Sequence, residues 1–120
     1  PWIAVNGNHV RVNAADQLKD EDSIFHYYQK LIALRKELDV IAYGDIEPLA
    51  EHDPSVFAYR RTYEGHELVM IANFYGKEYT WKGAPELEGF RKVLGNYQGE
   101  ETTEGAAMVL KPYEAAVWYK

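Results

Sequence analysis

Three kinds of side chain in this chain could do chemistry: carboxylates, imidazoles and large aromatic rings. Two carboxyl groups held about 5 Å apart can divide nucleophilic and acid–base work between them, provided a rigid frame fixes the spacing. Asp16, Asp20, Glu21 and Asp22 instead crowd ahead of a helical pattern, where acidic groups accept from free backbone N–H groups and suit the positive end of the dipole. Glu64, Glu67, Glu78, Glu100, Glu101 and Glu104 fall in turns or on polar strand faces, where solvation is the default. No catalytic residue is assigned. His26 is placed on the helix and His9, His52 and His66 on loops, scattered rather than spaced to converge on a tetrahedral ion. No metal ligand or cofactor site is assigned either.

The rings remain. Three Trp, ten Tyr and four Phe make the chain 14% aromatic, and an aromatic face can stack on a sugar ring as well as fill a core. Phe57 and Tyr59 alternate along one segment, and Trp118 stands beside Ala116 in the last one, as core-facing residues would. Trp81 and Trp118 are the candidates for sugar stacking; packing is favoured for both, and less firmly for Trp81, next to a loop containing Gly83. Trp2 belongs to an N-terminal loop.

The elements that must position these residues change period once. Asp22 or Ser23 can cap a helix in which Ile24, Tyr27, Tyr28, Leu31, Leu34 and Leu38 recur at helical spacing, so one apolar stripe needs a partner surface. Upstream, PWIAVNGNHVRVNAADQLKDED has Asn-flanked turns at Asn6-Gly7-Asn8 and around Asn13 and little periodicity. It reads as an ordered loop of about 20 residues, a length that often borders functional sites. After Gly44 the period falls to two. Strands are predicted over Ile46 to Ala50, Val56 to Thr62, Glu67 to Phe74, Lys77 to Trp81, Arg91 to Tyr97, Ala107 to Lys111 and Glu114 to Tyr119. Tyr63 to His66 forms a tight hairpin using Gly65, Asn73 to Lys77 turns through Gly76, and Lys82 to Phe90 is a longer loop. Seven short strands predict a two-sheet antiparallel Greek-key sandwich. With no linker between Lys36 and Ile46, helix and sandwich are expected to pack as one unit.

Composition sets limits. At 120 residues the chain suits one modest core, burying roughly two-thirds of its unfolded surface. The net charge of −6 opposes binding to nucleic acid or an anionic membrane, and no run of about 18 apolar residues exists to span one. Zero cysteines exclude disulfides and fit a reducing cytoplasm. The chain opens on Pro1, with neither an initiator Met nor a signal-peptide pattern, so it is expected to be cut from a longer protein.

PWIAVNGN, then VNAADQ, DSIFHYYQKLIALRKE and a Tyr-Gly step resemble the end of the barrel in bacterial oligo-1,6-glucosidases and related α-glucosidases of the α-amylase superfamily, the family 13 glycoside hydrolases. PSVFAYRRTYEGHELVMIANF and LKPYEAAVWY resemble their C-terminal β-domain. One departure is Gly7, Asn8 and His9, where that family usually continues with Pro and Asn-Tyr. The resemblance implies a mainly β fold: residues 1–39 are the last loop and amphipathic helix of a (β/α)8 barrel, and residues 40–120 a Greek-key sandwich of the α-amylase C-terminal type. It also implies that the catalytic carboxylates lie upstream, that the parent hydrolyses α-glucosidic bonds in isomalto- or malto-oligosaccharides, and that this part is structural. Its expected partners are the upstream barrel and, through the parent, an oligosaccharide. Isolated, it is expected to self-associate through the helix, or to bury that helix under its N-terminal loop. Two alternatives are an independent carbohydrate-binding module and a stand-alone interaction domain.

Overall fold

In a computed structural model of the chain, residues 2–98, 102–104 and 107–120 are described, the middle group by its backbone alone. The chain divides into two compact units, Pro1–Glu37 and Leu38–Lys120.

The first unit is built on caps. Gly7–Val10 forms a 3-10 turn whose preceding residue, Asn6, accepts from Asn8 N. Asn13 caps α1 (Ala14–Gln17) by accepting from Asp16 N at 2.9 Å. The two Asn-flanked turns therefore start short helices, because a side-chain oxygen there satisfies an N–H that the helix leaves free. α2 (Ile24–Glu37) begins after Ser23, whose Oγ donates to Gln17 O at 2.7 Å and lies 3.4 Å from His26 N. His26 Nδ1 sits 2.7 Å from Asp20 O and 3.0 Å from Ser23 Oγ. Since the hydroxyl proton goes to Gln17, the imidazole proton must lie on Nδ1. Gln17 Oε1 accepts from Phe25 N as well, so α1 and the start of α2 are clasped by polar groups. No residue of α2 is buried.

The helix does not hand over directly to a strand. Leu38 is extended, at φ −108° and ψ 98°, and a separate turn, α3 (Asp39–Tyr43), follows it with Val40 only 1% exposed. Burial of Leu38 and Val40 in the second unit competes with continuation of the α2 stripe, and burial wins. At Gly44 an added Cβ would collide with Val40 O, so the close turn into β1 needs glycine.

The second unit has two antiparallel sheets. β1 (Asp45–Pro48), β2 (Val56–Tyr63), β3 (His66–Asn73), β8 (Ala115–Tyr119) and β5 (Arg91–Gly95) form one in the order β1-β2-β3-β8-β5. β4 (Tyr79–Trp81), β7 (Ala107–Leu110) and β6 (Thr102–Glu104) form the other in the order β4-β7-β6. The last strand returns between β3 and β5, the non-sequential order of a Greek-key sandwich. The β2–β3 hairpin closes through Glu64 and Gly65, both at positive φ, the geometry whose twist matches the flanking strands. Between the sheets lie Val56, Ala58, Val69, Ile71, Trp81, Met108, Leu110, Ala116 and Trp118.

Alternation corrects one expectation. Val56 and Ala58 face this core, so Phe57 and Tyr59 point outward, and Phe57 is 48% exposed. Trp118 does face inward. The outward side of β2 also carries Arg61, whose Nη2 donates to Gly44 O at 2.6 Å, and Tyr63, whose ring meets that of Tyr43. α3 therefore lies over one end of that outer face. On β3, Leu68 and Ala72 point away from Val69 and Ile71 yet are buried too, so this sheet is apolar on both sides. β6 was not among the predicted strands, being three residues long and polar.

Candidate functional site

The largest chemical interest lies at one end of the sandwich, where the loop before β2 and the β3–β4 turn come together. Ser55, Asn73, Tyr75, Gly76, Lys77, Glu78 and Tyr79 line a cleft of about 410 Å³ there. Asn73 organises it. Only 2% exposed, it donates from Nδ2 to Lys77 O at 2.8 Å and to Lys111 O at 3.0 Å, while its Oδ1 accepts from Tyr75 N at 3.0 Å. A buried amide satisfied on both ends fixes the backbone it bridges, because releasing any partner would strand a desolvated group. Tyr113 locks the same turn from the other side: its N donates to Tyr75 O at 3.0 Å, and its ring lies against Gly76. It adopts φ 54°, a left-handed conformation costly for a side chain with a Cβ. The adjoining β7–β8 turn is closed by buried Glu114, which accepts from Lys111 N at 2.7 Å.

The opposite wall is held by Tyr79, half-buried, whose hydroxyl donates to Asp53 Oδ2, while Asp53 Oδ1 accepts from Ser55 N at 2.9 Å. That hydrogen bond to Asp53, with burial and the carboxylate's charge behind it, pushes the Tyr79 phenol above its usual value of 10.0. Tyr75 is 50% exposed, and Lys77 and Glu78 are exposed beside it, so their charges cancel at the mouth. Next to the turn, Phe74 stacks on Phe57 with ring centres 5.9 Å apart and planes at 20°. A second cleft of about 450 Å³ is lined by Arg60, Glu67, Glu86, Glu88, Gly89, Phe90 and Lys120. It is mostly charged, with Arg60 Nε 3.8 Å from Glu67 Oε1.

The residues singled out by sequence are not brought together. Trp81 is 4% exposed inside the core, pairs across to Met108, and has no free face to offer a sugar, since β4 turns Thr80 outward instead. Asp16 serves the Asn13 cap and Asp20 accepts from Asp22 N at 3.0 Å. Glu64 sits in the hairpin turn, where its charge is the first cause that raises the Tyr63 phenol's pKa. Glu100 and Glu101 lie outside the described residues, and Glu104 is described by backbone alone. His9 Nδ1 meets Asn6 O at 3.0 Å. His66 opens β3 rather than lying on a loop, and its ring stacks on Tyr119 with centres 5.5 Å apart. Among the described residues no group of three or more His, Cys, Asp or Glu could hold a metal ion, and no helix is long and apolar enough to cross a membrane.

Fold and comparison with known proteins agree. The family described as the alpha-amylase SusG C-terminal domain matches residues 56–117, and that of the alpha-amylase catalytic domain matches residues 1–44. The chain belongs to the α-amylase family. The catalytic-domain match ends at the Gly44 turn, close to the boundary between the compact units, and the other begins at Val56. An oligo-1,6-glucosidase of Halalkalibacterium halodurans is 42% identical over 98% of this chain and 21% of that enzyme. A trehalose-6-phosphate hydrolase of Bacillus subtilis is 38% identical over the same shares. The solved trehalose-6-phosphate hydrolase of Bacillus licheniformis superposes with a TM-score of 0.87 at 36% identity, over 99% of this chain and 22% of that one. The chain thus spans about a fifth of the length of the curated relatives it matches.

Proposed function

We propose that this chain is the structural, non-catalytic C-terminal part of a cytoplasmic α-glucosidase whose whole protein hydrolyses α-glucosidic bonds in short isomalto- or malto-oligosaccharides. The observation that carries the reading is the state of the first unit's apolar side chains. Ile24 is 70% exposed, Tyr28 63%, Ile32 53% and Phe25 43%, on a helix with no buried residue. An amphipathic helix of catalytic-domain type with its apolar side in water is a surface prepared for another part of the protein. The rest of that catalytic domain is the partner it fits. The second unit, by contrast, closes its own core between two sheets. Oligo-1,6-glucosidases and a trehalose-6-phosphate hydrolase among the relatives support the reaction class. Absence of cysteine supports a reducing compartment.

The test uses the 120-residue chain and a chromogenic α-glucoside at high protein concentration. The expected result is no turnover. Turnover that survives purification and disappears on replacing a carboxylate here, such as Asp53→Asn, would overturn the non-catalytic assignment. In the complete enzyme, Tyr28→Asp is expected to lower thermal stability and yield while leaving the specific activity of the folded fraction unchanged.

A further inference from the structure

We propose that the cleft between Ser55 and the β3–β4 turn is a weak binding site for a neutral pyranose chain. A recess of about 410 Å³ is within the size of small-ligand sites, and it is shaped by a turn that Asn73 fixes through three hydrogen bonds. A preformed recess spares the ligand the cost of ordering the loop that receives it. Its lining has the chemistry a sugar needs. Tyr75 presents a half-exposed ring whose face can take the apolar C–H side of a pyranose. Ser55, Lys77, Glu78 and the Tyr79 hydroxyl surround it with donors and acceptors for ring hydroxyls. The Tyr79 hydroxyl spends its proton on Asp53 and is left as an acceptor.

Charge selects among occupants. One Lys and one Glu cancel at the mouth, and the chain as a whole carries −6, so a phosphorylated or otherwise anionic ligand gains nothing here. The charged cleft lined by Arg60 and Glu86 lacks an exposed tyrosine ring and is the weaker candidate. This site goes beyond the structural role proposed above, and the two fail separately, since that role is read from stability and turnover and this one from sugar titration.

The experiment is a heteronuclear NMR titration of the 15N-labelled chain with maltotriose and, separately, isomaltotriose. Saturable shifts are expected at the amides of Ser55 and of Tyr75 to Tyr79, with a Kd of about 1 mM or weaker, as a single shallow stacking site provides. Tyr75→Phe keeps the stacking face and is expected to bind as well as the parent. Tyr75→Ala is expected to weaken binding about tenfold or more, by loss of the platform. Glu78→Ala, at an exposed position, provides a second variant that removes an acceptor without touching the Asn73 bridge. A well-dispersed spectrum in which those amides do not move would overturn the proposal. Shifts that persist unchanged in Tyr75→Ala and Glu78→Ala would overturn it equally, since the sugar would then be bound elsewhere.

Discussion

Residues 2–37 and residues 38–120 solve the same problem in opposite ways. In the first unit no described apolar side chain is buried, and Ser23, the one buried residue, is polar. Order there comes from Asn6, Asn13, Gln17 and Ser23 satisfying free helix N–H and C=O groups. In the second, Ile71, Val69 and Leu110 are at most 1% exposed, and rings of Trp81 and Trp118 fill the space between two sheets. Caps hold a shape once it exists; apolar burial supplies most of the free energy that makes it exist. A segment with caps and no core borrows its stability from whatever covers it.

Truncation separates the two most sharply. Trp118→Ala is expected to cost about 3–5 kcal/mol, enough to unfold the sandwich or nearly so, whereas Ile24→Ala on the exposed helix should stay within about 0.5 kcal/mol. Denaturant titration reads both, and similar losses would erase the distinction between the units. A smaller effect tests the caps. Ser23→Ala removes the hydroxyl that joins Gln17 O to the start of α2 and is expected to cost about 1 kcal/mol, felt locally. Amide exchange in the first turn of α2 should speed up while that of β3 and β8 stays as it was; uniform acceleration would mean the units unfold together.

The smallest effect is at high pH. Tyr79 is held neutral by its bond to Asp53, with a folded pKa above the unfolded 10.0. Between those two values the unfolded chain binds fewer protons, so stability falls as pH rises through that window, having been fully present below it. Tyr79→Phe should flatten this part of the profile as followed by denaturant titration from pH 9 upward, and an unchanged slope would assign it to another group.

Much of the sandwich was legible because β2, β3 and β8 are short runs rich in apolar and aromatic residues bounded by turn signals such as Gly65 and Gly76. Phe57 and Tyr59 face outward against expectation in a sheet whose neighbouring strand β3 buries Leu68 and Ala72 on one side and Val69 and Ile71 on the other. With apolar residues on both faces, periodicity says that a strand exists and not which way it faces. The break at Leu38 was invisible for a related reason: leucine at helical spacing fits the stripe, and only the burial of Val40 shows that the chain leaves it. The cleft had no local signal. The β2–β3 pairing, which sets Val56 opposite Asn73, brings Ser55 to the β3–β4 turn, and the stretch between Asn73 and Tyr79 reads only as a turn. Trp81 stood out as a lone ring beside a glycine, yet β4 pairs it opposite Met108 and closes it into the core.

The central claim is that the apolar side of α2 is an interface with its partner missing, and association of the isolated chain tests it. An uncovered patch of a few hundred Å², at roughly 25 cal/mol per Å², has several kcal/mol available to favour burial, offset in part by the entropy of association. Phe57, stacked on Phe74 on the sandwich, is the matched control, being 48% exposed beside 43% for Phe25. Light scattering across a concentration series is expected to show growing mass for the parent chain, a clear reduction for Phe25→Asp or Tyr28→Asp, and a lesser one for Phe57→Asp. A strict monomer at every concentration, or oligomers that only Phe57→Asp dissolves, would contradict it.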